Sequence, residues 1–143
     1  IGKYGTNVHV QQDEVFEYFL SILQTAIDLR DEQNTNLSSK TLKKALAYID
    51  EHYTSENLSL GTVACEVQVG ANYLSSVFSQ NMQKTFTEYI SEKRMEKAKK
   101  LLKSTELPTS EIAAQVGYKD PHYFSFVFKK TQGCSPREYR SGI

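Results

Sequence analysis

The stretch GYKDPHYFSFVFKKTQGCSPREYR, residues 117–140, decides how the rest of the chain is read. Phe124, Val127 and Phe128 recur at the spacing of one helical face, so a helix starting at Pro121 turns them inward. Gly117 and Gly133 bracket that helix and suit turns that need a positive φ. Beyond them Ser135 is placed to cap a last helix, with Pro136 at its first position, where a missing N–H costs nothing. Upstream, Ser110 is expected to cap EIAAQVGY, so that a short helix, a tight turn and a longer helix follow one another.

The same pattern occurs earlier in LSLGTVACEVQVGANYLSSVF, residues 58–78. Ser59 is expected to cap a short helix over Leu60 to Val67, QVGAN turns the chain, and a helix from about Asn72 to Met82 directs Leu74, Val77 and Phe78 inward. Ala64 and Val67 match Ala113 and Val116 at an offset of 49 residues, while Tyr73, Leu74, Val77, Phe78 and Tyr89 match Tyr123, Phe124, Val127, Phe128 and Tyr139 at 50. One residue inserted in the second turn accounts for the difference. Each copy has the form of a helix-turn-helix, with Ala64 and Ala113 small enough for close helix approach, and the two span about 58–82 and 109–131. A helix fits the B-DNA major groove, about 12 Å wide. Between the copies, FTEYISEKRMEKAKKLL predicts a linker helix over about 86–103 with Ile90, Met95, Ala98, Leu101 and Leu102 on one face. Such a helix is about 27 Å long, against about 34 Å between successive major-groove faces on one side of a duplex.

Outward from the repeat, Val15, Phe19, Ile22, Ala26 and Leu29 step by four, three, four and three, the seam of a heptad pattern within residues 11–32. Phe16, Leu20, Leu23 and Ile27 widen the stripe, so two readings stay open: a homodimer through 11–32, or packing inside one chain. RDEQNTN, residues 30–36, has no periodicity and reads as a linker. LSSKTLKKALAYIDEHY then restarts a helix, with Ser38 or Ser39 as the expected cap and Leu42, Ala45, Leu46 and Ile49 inward. No segment alternates as a strand. The expectation is an all-α chain, with 1–37 a dimerising or signal-transmitting segment and 38–143 two helix-turn-helix subdomains joined by the linker helix.

Composition excludes several classes. At 143 residues the chain is one ordinary domain or two small ones, and its 39% apolar and 24% charged residues are those of a globular protein. No apolar run approaches the roughly 20 residues that span a bilayer. The formal charge of zero conceals a division: residues 1–37 hold Lys3 and Arg30 against six acidic side chains, and the remainder carries a net positive charge of four. A modestly basic region fits a polyanionic partner. Cys65 and Cys134 lack CxxC spacing, which disfavours a disulfide framework or zinc finger and suits a reducing cytoplasm. Cys65 falls in a short helix expected to be buried, and no motif joins either cysteine to His9, His52 or His122, so neither catalysis nor a cofactor is expected. The first residue is Ile1 and no cleavable leader pattern follows, so the sequence is expected to be a piece of a longer protein.

Residues 117–140 closely resemble the signature of AraC/XylS-type bacterial transcription regulators, in which a G-F/Y turn precedes Y-F-S-x-V-F-K-K and then G-x-S-P-x-E-Y-R. The resemblance extends through LSLGTVACEVQVGANYLSSVF and FTEYISEKRMEKAKKLL, covering about residues 40–141. It implies a seven-helix domain whose two units bind one double-stranded promoter site and recruit or position RNA polymerase in the bacterial cytoplasm. By the family pattern the base-facing positions are Asn72, Tyr73, Ser75 and Ser76, with Ala71 near phosphate, and in the second unit Lys119, Asp120, Pro121, His122, Ser125 and Phe126. Lys129, Lys130 and Arg137 are placed for phosphate, whose contacts position a protein without reading sequence. Phe126 departs from the pattern, which commonly has Arg there, and points to weaker binding or to a thymine-methyl contact. Gln68 stands where the turn often has Gly. The alternative to a DNA reader is a helix-turn-helix module that has lost DNA binding and docks proteins.

Overall fold

The computed structural model describes the backbone of residues 4–142 and the side chains of 12–142; Lys3 and the side chain of His9 lie outside the described residues. Seven helices occur among them and no strand: α1 Tyr4–His52, α2 Leu60–Glu66, α3 Ala71–Met82, α4 Phe86–Ser104, α5 Thr109–Val116, α6 Pro121–Gln132 and α7 Pro136–Ser141. The chain divides into two units, residues 1–40 and 41–143, and each is described by itself.

In the first unit the expected linker at Arg30–Asn36 is helical, and no cap forms at Ser38. RDEQNTN contains neither Gly nor Pro, so nothing in it forbids helical dihedrals. Its hydroxyl neighbours do not compete for the backbone N–H groups either. Thr35 Oγ1 donates to the Asp31 carbonyl at 2.9 Å and Ser38 Oγ to the Thr35 carbonyl at 3.0 Å, both directed back along the helix. The heptad residues Val15, Phe19, Ile22 and Leu29 are all exposed, as are Phe16, Leu23 and Ile27.

The second unit contains two cores strung along α4. Ala45 and Ile49 from the end of α1 pack with Val63 and Ala64 of α2, Leu74 and Phe78 of α3, and Phe86 and Ile90 of α4. Met95, Ala98 and Leu102, farther along α4, pack with Ile112, Ala113 and Val116 of α5, Tyr118, and Phe124 and Phe128 of α6. One amphipathic helix therefore serves both cores, and truncating a fully buried ring such as Phe78 or Phe124 to Ala costs about 3–5 kcal/mol. Ala64 and Ala113 are buried at the helix crossings, as their small size requires.

Two of the four expected caps, Ser59 and Ser135, are present, and Thr85 adds one that was not expected. Ser59 with Thr62, Thr85 with Glu88 and Ser135 with Glu138 form reciprocal capping boxes on α2, α4 and α7. Ser110 is a correction: α5 starts at Thr109, and Pro108 at its N-cap accepts the amides of Glu111 and Ile112 through its carbonyl. Cys65 is also corrected, since α2 buries only Val63 and Ala64 and leaves the thiol exposed.

The two turns are built alike. In the first, the Val69 amide donates to the Ala64 carbonyl at 3.0 Å and Gln68 to Cys65 at 3.2 Å; in the second, Tyr118 donates to Ala113 at 2.9 Å and Gly117 to Ala114 at 3.2 Å. Both are paired six-to-one and five-to-two bonds around a left-handed residue, Gln68 at φ 60° and Gly117 at φ 107°. Two residues separate Gln68 from α3 and three separate Gly117 from α6, which places the insertion inferred from the repeat in the turn itself. A Cβ on Gly117 would also lie 3.0 Å from the Arg94 guanidinium. Gln68→Gly should therefore stabilise the domain by about 0.5–1 kcal/mol by relieving a left-handed non-glycine residue. Gly117→Ala should destabilise it by about 1–3 kcal/mol. Urea unfolding of the two variants measures both, and the opposite order would show that the turns are not under this constraint.

Candidate nucleic-acid interface

α3 and α6, the second helices of the two units, bury one stripe each and expose the opposite face. On α3, Leu74, Val77 and Phe78 face the core, which leaves Ala71, Asn72 and Ser76 exposed, Tyr73 41% exposed and Ser75 half-buried beside Leu74. On α6, Phe124 and Phe128 are fully buried, while His122, Lys129 and Lys130 are exposed and Ser125 is half-buried at the place of Ser75. Val127, expected in the core, is half-buried at its edge. The predicted positions within α3 and α6 thus lie on the sides of those helices away from the buried stripe, while Lys119 and Asp120 precede α6 and Arg137 lies on α7.

The two helix starts differ in charge. α3 begins after Gly70, which has no side chain to cap it, so the first amides of α3 receive no side-chain acceptor. α6 begins after Asp120, whose carboxylate accepts the His122 amide at 2.9 Å, with half-buried Pro121 at the first position. Asp120 is therefore a cap as well as a surface group. Lys119 beside it is exposed. An uncapped helix N-terminus offers donors and positive potential to an anion, whereas a carboxylate at that place uses them itself.

Phe126 is 61% exposed and lies in an aromatic cluster that sequence reasoning only half identified. Tyr123, 56% exposed, stacks with it at a centroid distance of 6.5 Å and 25° between planes, and Lys130 Nζ lies 6.0 Å over the Phe126 ring. Tyr123 is absent from the residues expected at the interface, although its match to Tyr73 at an offset of 50 was the available signal. Two other residues, to which the sequence reading gave no role although both lie in stretches it quoted, hold the frame. Arg140 donates from Nε to the Leu102 carbonyl at 3.1 Å and from Nη2 to the Leu107 carbonyl at 2.6 Å, tying α7 across the end of α4. Arg94 makes a similar clamp in the middle of α4.

Arg137 is exposed on α7, near the exposed Lys129 and Lys130 at the end of α6 in sequence. The α7 start is fixed by Glu138, whose carboxylate accepts the Ser135 amide at 2.8 Å and whose own amide donates to Ser135 Oγ at 3.1 Å. The backbone bond from Ser135, then its side chain, hold the Glu138 carboxyl below its ordinary pKa. Among the described residues no group of three or more His, Cys, Asp or Glu side chains gathers as a metal site, and no helix is long and apolar enough to cross a membrane.

Comparison with known proteins gives the same architecture. A helix-turn-helix domain family model matches residues 63–142, more than half of the chain. The arabinose operon regulatory protein of Escherichia coli (strain K12) is 35% identical over 101 residues, covering 71% of this chain and 35% of that protein, so the chain spans about a third of that relative's length. Among solved structures, the C-terminal domain of AraT, a response regulator from Geobacillus stearothermophilus, is 43% identical with a TM-score of 0.70, over 72% of this chain and 85% of that one. The DNA-binding domain of the global transcriptional factor AdpA, solved in complex with a target DNA, has a TM-score of 0.66 at 21% identity over 71% of this chain and 90% of that one, a likeness of fold alone.

A folded-state pKa below the ordinary carboxylate value means that Glu138 stabilises the domain above that value and loses the effect as pH falls through the folded one. Glu138→Gln should therefore be less stable than the parent at neutral pH and converge with it in acid. Thermal unfolding across pH measures the gap, and a gap independent of pH would remove the carboxylate from the cap.

Proposed function

Since the chain belongs to the AraC/XylS family of helix-turn-helix transcription regulators, we propose that it binds promoter DNA by laying α3 and α6 in two successive major-groove segments of one duplex. The single observation that carries this reading is the pair of exposed helix faces mounted on one 19-residue α4, about 28 Å long. That length is comparable to one helical repeat of B-DNA. The AdpA domain, similar in fold and solved with a target DNA, supports DNA as the partner of this architecture.

In this reading the uncapped start of α3, at Ala71, meets phosphate, and Asn72, Tyr73, Ser75 and Ser76 face base edges, with Asn72 able to pair with adenine through two hydrogen bonds. The second unit works differently. His122, Ser125 and the Tyr123–Phe126 pair present mostly apolar surface where the family commonly has Arg, so the groove contact there is to the C5 methyl of thymine. Asp120, which holds the helix start, leaves phosphate contact to Lys119, Lys129, Lys130 and Arg137. Loss of DNA binding and conversion to a docking module has nothing in its favour beyond the neutral reading faces.

The chain's further partners follow from the family. RNA polymerase is the expected partner of a bound activator in the bacterial cytoplasm. The exposed heptad residues Val15, Phe19, Ile22 and Leu29 supply a surface for a second copy, and an upstream sensor or receiver would act by changing how those helices pair. Polar replacement of Phe19 and Ile22 should then abolish self-association in sedimentation; an unchanged profile would leave α1 without a pairing role.

Mobility-shift titration over a range of salt tests the DNA reading, because neutralising several phosphates makes affinity fall steeply as salt rises. Asn72→Ala should cost about 1–3 kcal/mol and relax base preference at one position, whereas Lys129→Ala should weaken all sequences alike. Replacing thymine by deoxyuridine under the second unit should weaken the parent chain and leave Phe126→Ala unaffected. Salt-insensitive binding, or equal effects of the two alanine variants, would contradict these roles.

A further inference from the structure

We infer that Arg94 is a positioning residue that sets the separation and angle of the two reading helices, and so makes the chain discriminate the spacing between the two parts of its DNA site. The inference rests on the DNA reading above and adds to it a residue that touches no base.

Arg94 lies on α4 between Ile90, the last α4 residue of the first core, and Met95, the first of the second. Its Nε donates to the Tyr53 carbonyl at 2.8 Å and its Nη2 to the Ser55 carbonyl at 3.0 Å, both in the loop that leads from α1 to α2. The same guanidinium lies over the Tyr118 ring, 5.1 Å from its centroid, and fills the space that a Cβ on Gly117 would need. Tyr118 in turn contacts α6, with ring centroids 5.6 Å from Phe124 and 6.0 Å from Tyr123, and its hydroxyl is 3.5 Å from Ser91 Oγ. One planar cation thus joins the loop that leads into the first helix-turn-helix to the turn between the two helices of the second. Among the described polar and ring contacts, no other side chain touches both.

What surrounds it gives the clamp its importance. α2 packs with α3 and α3 with α4, while α5 packs with α6, α6 with α7, and α5 and α7 against α4. A cleft lies between the two halves, lined on one side by Leu58, Leu60 and Phe86 and on the other by Tyr118, Tyr123 and Val127, with Arg94 at its wall. The relative pose of the halves therefore depends on the stiffness of α4 and on this guanidinium. Arginine suits the task because its fork holds two carbonyls in fixed directions while its face stacks on a ring, which a lysine ammonium cannot do at once. Burial lowers the Arg94 pKa from its usual value while Tyr118 opposes the change, as expected of a cation held in a partly dry seam.

Inserting one base pair between two subsites rotates the second by about 35° and shifts it by about 3.4 Å. A locked pair of helices must distort the DNA or itself to follow; a hinged pair need not. The test uses duplexes that the intact chain recovers from a random-sequence pool, then re-made with one base pair inserted between the two subsites, and with the second subsite scrambled. The parent chain should lose about tenfold or more in affinity on insertion, on the scale of a base mismatch. Arg94→Met and Arg94→Lys should lose less than about threefold, while their affinity for the single-subsite duplex matches that of the parent within about twofold. Circular dichroism confirms folding, and the lysine variant carries the test where the methionine variant unfolds. A folded variant that keeps the parent's full spacing penalty would overturn the role of Arg94. Recovery of no duplex by the parent chain would instead overturn the DNA reading itself.

Discussion

Each half of this domain depends on reversing direction within two or three residues while keeping two helices in contact. The only backbone that does so here passes through a left-handed residue, because the chain must leave the first helix without losing the carbonyls at its end. Gln68 and Gly117 supply that residue, and the six-to-one bonds from Val69 and Tyr118 close the turns. Everything placed on the outer faces of α3 and α6 is aimed by those two turns. The glycine position is the more constrained, since its φ strains any residue with a Cβ and the Arg94 guanidinium crowds the place that Cβ would take. The glutamine position is constrained only by φ, and that difference follows from what packs against each turn.

From the turns the organisation passes to α4. A long helix with an apolar stripe can serve two cores only if the stripe is continuous, and Phe86, Ile90, Met95, Ala98 and Leu102 make it so. Charged neighbours fix the helix against its surroundings: Lys93 pairs with Asp50 and lies near the Tyr53 and Tyr89 rings, a bond that raises the lysine pKa. Arg140 fastens the far end through the carbonyls of Leu102 and Leu107. Main-chain carbonyls are the partners of both arginines. Such contacts are directional and largely independent of salt, unlike the exposed pair between Lys84 and Glu92.

The outer faces of α3 and α6 are copies in backbone and differ in chemistry. α3 presents small polar groups and an uncapped start, while α6 presents two stacked rings, two lysines and a start occupied by Asp120. A duplicated unit that keeps its core and varies its outer face separates folding from recognition, because the buried positions answer to helix packing and the exposed ones only to a partner.

Periodicity, turn residues and the internal repeat determined the all-α class, the two helix-turn-helix units, the linker helix and the caps at Ser59 and Ser135, because each of these is set by residues within a few positions of one another. The offset between the two copies was enough to locate the inserted residue. Local signals failed where no local signal exists: RDEQNTN lacks periodicity yet remains helical, since absence of a breaker is sufficient once the helix is propagating. Ser110 looked like a cap only because a serine preceded an apolar face, and Pro108 preceded it in the chain. Only the tertiary structure decided that Cys65 is exposed, that the Tyr123 and Phe126 rings stack, and that Arg94 and Arg140 each hold two carbonyls. Those carbonyls lie about 30 to 40 residues from the arginines that bind them, and main-chain oxygens carry no residue identity that a sequence pattern could display.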